Sequence, residues 1–424
     1  MFIIINMILF RRDLRESCVN MKKSIIIILS IYFLQGVIHN LGHPVTPSLV
    51  KELGIEDYMF GIFFATMSFG LMLGGPLWGS LGDQGNKRKY IVFGLLVYGF
   101  GQYMFGNVGN VYWMVFFRFV SGFGVAASSA LLISVLICES EIENRTKYIA
   151  WSVATFTIGG SLGYFIGGTL GENTFFTDIL GPNVYGNIFL IQGITNTILA
   201  GYVYIALRGI NTLGVIDLNK KPNVLQGFKD IRVLDKTLVI FLISLTFISI
   251  GMINVSKFID VFLIDKGYTT SELGTFVGVT GIVALVASIF VVPLVAKFKR
   301  DMTIMIYIQI LSAIIVYFVF RSNEIMIILY TVFMVYVIFK AVYGPLEQNY
   351  ISSHASDGKY GTIMGVRQSF FAIGFVIGPL IGGFLYNINP VFVFDFSAFM
   401  FILGGILLLL VKGRIQKHNG GQKI

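Results

Sequence analysis

The chain has 424 residues, 55% of them hydrophobic and only 12% charged, against about 25% charged in soluble domains. So much apolar surface excludes a soluble enzyme, and the net charge of +9 is no nucleic-acid footprint until its location is known. Two cysteines, Cys18 and Cys138, exclude a disulfide framework and a cysteine-rich zinc site.

The first apolar run, residues 2–10, is too short to cross a bilayer. Its charges follow rather than precede it, the wrong order for a signal peptide. Residues 1–20 therefore read as an upstream extension or miscalled start, or as a short interfacial cytoplasmic helix. Twelve long apolar segments follow. Spans 1 to 6 are Ile25–Leu41, Tyr58–Leu81, Tyr90–Gly106, Val111–Cys138, Tyr148–Gly168 and Asn187–Leu207. Spans 7 to 12 are Thr237–Val255, Leu273–Val295, Met302–Phe320, Ile325–Ser352, Thr362–Tyr386 and Val391–Val411. The expected fold is an all-α integral membrane protein with two pseudo-symmetric six-helix bundles. Its parts are a cytoplasmic tail (1–23), a first bundle (24–207), a cytoplasmic linker (208–236), a second bundle (237–411) and a cytoplasmic tail (412–424).

An even number of spans puts both termini on one side. Of the 31 Lys and Arg residues, Arg118, Lys340 and Arg367 lie in spans. Lys51, Lys257, Lys266 and Arg321 fall on the side opposite the termini, and all the others share the termini's side. This is a strong positive-inside bias. It places both termini in the cytoplasm of a multi-pass plasma-membrane protein, and it accounts for the basic composition as topology.

The halves repeat each other. Span 5 carries Gly159, Gly163, Gly167 and Gly168; span 11 carries Gly374, Gly378, Gly382 and Gly383, the same GxxxGxxxGG pattern. Gly61 and Pro76 of span 2 likewise find Gly278 and Pro293 in span 8. Parallel six-helix repeats build one large transporter class, with a binding site near the midplane between them.

The segment Gly79-Ser80-Leu81-Gly82-Asp83-Gln84-Gly85-Asn86-Lys87-Arg88-Lys89 resembles motif A of the major facilitator superfamily. Arg118-Phe119-Val120-Ser121-Gly122-Phe123-Gly124 in span 4 looks like motif B, whose arginine is associated with proton coupling. The glycines and Pro379 of span 11 match motif C, the mark of the twelve-span drug:proton antiporters, although the family places it in span 5, where Tyr164 replaces the proline. The resemblance covers residues 21–411. It implies a non-enzymatic, alternating-access transporter that acts as a monomer. Its partners would be a small molecule, protons and lipid, with no nucleic acid, cofactor or resident metal.

The resemblance implies that Gly79, Asp83, Lys87 and Arg88 form a latch between the halves, closed when the transporter faces outward. Asp83 would meet the positive N-terminal end of span 11, Gly79 would let the two backbones approach, and Lys87 and Arg88 would hold the carboxylate from the other side. A solvated turn is the alternative. The spaced glycines fit either a rocking seam between halves or tight packing with no gating role.

Charges inside the spans each cost about 2.5–3.5 kcal/mol or more at the bilayer centre. Arg118 supports a proton relay or binds an anion, or else snorkels outward or pairs structurally. Lys340 and Glu347, seven residues apart, share a face of span 10 across Gly344-Pro345, as a site or as part of an interhelical salt link, with Arg367 within reach of Glu347. Glu347 reads as the protonatable carboxylate, and Asp395 as interfacial. His39 and His43 are four residues apart, but no third ligand stands nearby; they read as a cavity-lining pair, with His39 able to titrate during transport. Together these features favour proton-coupled export of small amphipathic compounds or drugs. The alternative is a symporter or exchanger of a small, possibly anionic, metabolite, favoured by the excess of intramembrane bases.

Overall fold

The computed structural model describes residues 23–84, 86–141, 144–210, 212, 235–298, 300–353 and 360–420. The N-terminal tail and most of the linker lie outside them, as do the side chains of Pro76 and Asp83. Among the described residues, eleven helices are long and apolar enough to cross a membrane. The twelfth, span 3 (Lys87–Asn107), opens on three basic residues that dilute its apolar character, yet it packs along spans 4 and 6 like any other. Helices are the expected solution, because a backbone in lipid must satisfy its own polar groups.

Side chains close the helix ends. Asn110 accepts from Tyr112 N and Trp113 N to start span 4, Asp235 accepts from Thr237 N to start span 7, and Thr269 and Glu272 form a capping box at span 8. Span 8 runs from Thr270 through a π turn at Ala287–Val291 into Val292–Ala296. That turn lies immediately before Pro293, which has no N–H to offer the helix.

The two halves pack by the same plan. In the first, span 1 lies against spans 5 and 6, span 4 against spans 2 and 3, and span 3 against span 6. In the second, span 7 lies against spans 11 and 12, span 10 against spans 8 and 9, and span 9 against span 12. Each pairing maps onto its counterpart by adding six. The bundles meet along spans 2 and 11 and along spans 5 and 8, a pair that the same operation exchanges. This is the twelve-span, two-bundle fold expected from the sequence.

The motif C glycines pack chiefly inside each bundle. A Cβ on Gly159, Gly163 or Gly167 would overlap the carbonyl oxygens of Phe33, Val37 and Leu41 on span 1. One on Gly374, Gly378 or Gly382 would crowd Ser249, Ile253 and Asn254 on span 7. These rows therefore cement spans within a bundle. Only the last glycine of each pattern faces the other bundle: Gly168 abuts Thr270 and Gly383 abuts Tyr58 and Gly61. Pro379 presents its carbonyl to Gly61.

Candidate functional site

The end of the molecule that carries residues 87–89, 297, 300 and 412–414 is here the basic end. Contacts between the bundles gather at the opposite end. Lys51, on the short helix Thr46–Glu52, pairs with Asp265 at the end of span 7. Within the second bundle, Tyr386 of span 11 donates to the second oxygen of Asp265 and so holds it in place. Thr270 donates through its hydroxyl to the carbonyl of Gly168, at 3.0 Å, and to Glu172. The Tyr58 and Phe384 rings stack at 5.6 Å. A cavity of about 500 Å³ opens beside this closure, lined by Ser48, Lys51, Glu52, Tyr185 and Ile264 among others.

The basic end differs. Among the described residues, nothing lies within 4 Å of the Cβ that Gly79 lacks. In this conformation spans 2 and 11 approach closely at Gly61, at the other end of span 2. Lys87 is buried and points its ammonium at Cys138 Sγ, 3.9 Å away. Arg88 lies over the Tyr204 ring. Both cations are thus turned onto their own bundle. The Asp83 side chain lies outside the described residues.

Span 7 supplies the cluster that the sequence reading missed. Its helix does not stop at Val255 but continues to Asp265. Lys257 and Asp260 therefore lie within the span, not beyond it, and Asp260 is 1% exposed. Tyr164 of span 5, in the place of the motif C proline, donates to Asp260 Oδ2 at 3.1 Å and accepts from Lys257 Nζ at 3.3 Å. A phenol thus bridges an acid and a base across the bundle boundary. The second carboxylate oxygen of Asp260 has no partner among the described residues. His43 stacks between the Phe64 and Tyr164 rings, at 5.5 and 5.6 Å, and Lys257 lies over Phe64.

Arg118 does not snorkel: it is 2% exposed. Its guanidinium sits 3.6 Å over the Phe105 ring and donates to Gln102 Oε1 at 3.1 Å and Thr46 Oγ1 at 3.5 Å. All of these acceptors are neutral, so its charge is solvated by dipoles and rings rather than by a carboxylate. His39 belongs to a neighbouring network inside the first bundle, 3.2 Å from Asn196 Oδ1 and against the Tyr98 ring. The two histidines face different partners. No group of three or more metal-ligating side chains gathers among the described residues.

Span 10 separates the two readings of Lys340 and Glu347. Glu347, 1% exposed, takes a two-pronged hydrogen bond from Arg367, at 2.9 and 2.8 Å. That pair is a salt link, and the geometry suits an ionised carboxylate. Lys340 is exposed and takes no part in it. Asp395 pairs with Arg321, both partly exposed, as an interfacial acid should.

Two six-helix bundles that meet over a charged centre, with bundle-to-bundle contacts at the end opposite the basic one, define a membrane transporter. The chain belongs to the Major Facilitator Superfamily, whose model matches residues 28–365 and, in a second match, 239–423. It is 24% identical over 390 residues to multidrug resistance protein 1 of Bacillus subtilis (strain 168), covering 91% of this chain and 95% of that protein. It is 23% identical over 400 residues to the class H tetracycline resistance protein of Pasteurella multocida, covering 92% and 95%. Its fold superposes with a TM-score of 0.72 on a bacterial homologue of the human lysosomal transporter Spinster in an inward-facing and unoccupied conformation, at 15% identity and covering 92% and 94% of the two chains. Members of the family are transporters, not enzymes.

Proposed function

We propose that this transporter works as a monomer in the plasma membrane, exporting small amphipathic compounds in exchange for protons, and that the conformation described here is open to the cytoplasm. The uneven seam carries this reading: spans 2 and 11 touch at Gly61 and Gly383, while Gly79 at the basic end has no described residue within 4 Å of its missing Cβ. The positive-inside bias makes the basic end cytoplasmic. Export agrees with the resistance proteins that resemble this chain over nearly its whole length.

For the proton we favour Asp260 over Glu347. Glu347 is matched by Arg367 on both oxygens, inside the second bundle. Asp260 lies on the seam, holds the other bundle through Tyr164, and keeps one oxygen free. Protonation there would weaken a bond that must break when the opposite end opens. Arg118 then sets the field rather than relaying the proton. The latch of Asp83, Lys87 and Arg88 would form in the other conformation, when the basic end closes.

Inverted vesicles with an acid interior test this. A transported compound should dissipate the gradient, and Asp260→Asn should abolish that response. Transport that ignores the gradient would overturn proton exchange, and normal coupling in Asp260→Asn would overturn the assignment of the acid.

A further inference from the structure

The charged groups between the bundles do not cancel. Glu347 and Arg367 neutralise each other. Asp260 is bridged to Lys257 through Tyr164. Two cations remain without a carboxylate among the described residues, Arg118 and Lys340. Arg118 is buried against neutral acceptors and an aromatic face. Lys340 has neither.

Three observations put Lys340 on the central cavity. It is exposed, although it lies within a membrane-spanning helix. Its neighbours on the same helix face, Tyr336, Val337, Tyr343 and Glu347, are buried, so its exposure is to space inside the protein and not to lipid. Gly344, one turn further along the same face, has no described atom within 4 Å of its missing Cβ, so there is free space beside the ammonium. Pro345 leaves the Ala341 carbonyl without its helical donor on the same turn. An unpaired ammonium at this depth is costly unless water or a ligand answers it.

We propose that the compound carried bears an anionic group, a carboxylate or a comparable acid on an apolar body, and that Lys340 receives this group while Lys257 and Arg118 repel a cation in the same place. The inference rests on the transporter reading but is tested without flux. Binding of 4-phenylbutyrate and of 4-phenylbutylamine, one shape with opposite charges, is measured on the full-length protein in detergent. The carboxylate should bind at least about tenfold more tightly than the amine, because a charge-assisted hydrogen bond to an ammonium is exchanged for like-charge repulsion. Lys340→Gln should weaken the carboxylate at least about tenfold, and Lys340→Arg should retain it. Equal or tighter binding of the amine, no binding of the carboxylate, or an unchanged carboxylate affinity in Lys340→Gln would each overturn the proposal. The comparison of the two probes on the unsubstituted protein stands even if a variant fails to fold. Selective carboxylate binding without flux in proteoliposomes would support this inference and count against the transporter reading instead.

Discussion

Tyr164 and Asp260 join the two bundles through a hydrogen bond of 3.1 Å at the place where a proline stands in the repeated half. The sequence difference between Tyr164 and Pro379 thus has a structural meaning. One repeat uses the position for a side-chain bridge, and the other uses it to present a carbonyl to Gly61.

Tyr164→Phe removes the bridge and keeps the ring that stacks on His43. It should express and fold normally, yet lose the coupled proton response by about tenfold or more, since one charge-assisted hydrogen bond at the seam is gone. Proton release on addition of substrate to reconstituted protein measures it. Full coupling in the variant would detach the bridge from the mechanism.

Gly163→Ala and Gly168→Ala should differ in kind. The added methyl at Gly163 meets span 1 inside the bundle, so the expected effect is a lower unfolding temperature, from overpacking of about 1–3 kcal/mol. At Gly168 the methyl meets Thr270 of the other bundle. There the expected effect is a shift toward the conformation open at the opposite end, read by labelling of single cysteines placed around Lys51. Loss of stability without such a shift at Gly168 would refute the division of labour among the glycines.

Glu347→Gln leaves the buried side of Arg367 unmatched and should cost about 3–5 kcal/mol. The double substitution Glu347→Gln with Arg367→Met should recover most of that, because it removes both charges. Thermal unfolding in detergent measures the stability, and the double variant should still exchange protons. A proton defect in the double variant would return Glu347 to the coupling site.

The loop residue Asp57 sits near the Lys51–Asp265 pair. Burial, and then the Asp265 carboxylate, raise its pKa above the ordinary carboxylate value, against the pull of Lys51. The closed end therefore binds a proton that the open end holds less tightly. Closure is favoured at pH below this raised value and weakens as pH rises through it. Asp57 is half exposed, so the effect should stay below about 1 kcal/mol. Asp57→Asn should flatten the pH dependence of labelling at the opposite end, and an unchanged profile would show that the group plays no part.

Much of the fold was legible because lipid leaves a chain few options. The apolar runs, the charge bias and the GxxxGxxxGG repeat each follow from that solvent. The end of span 7 was not legible by the same rule. Lys257 reads as the end of an apolar run, yet Val261, Phe262, Leu263 and Ile264 continue the helix beyond it. The true stop is Gly267, whose φ of +87° suits the left-handed residue that closes a helix. The acid and base of the seam were hidden inside that misread boundary. The glycine spacing announced close packing, but spacing alone does not say which helix arrives. The Glu347–Arg367 pair was legible as a possibility, and only the packing of spans 10 and 11 separates it from Lys340.

The central claim is that the bundles must part at the opposite end for transport to proceed. Tyr58 and Phe384, stacked across spans 2 and 11, offer the test. In a chain with Cys18 and Cys138 replaced, Tyr58→Cys with Phe384→Cys is oxidised to a cross-link and flux is measured in proteoliposomes. The account predicts that flux stops when the link forms and returns on reduction. Undiminished flux through fully cross-linked protein would contradict it.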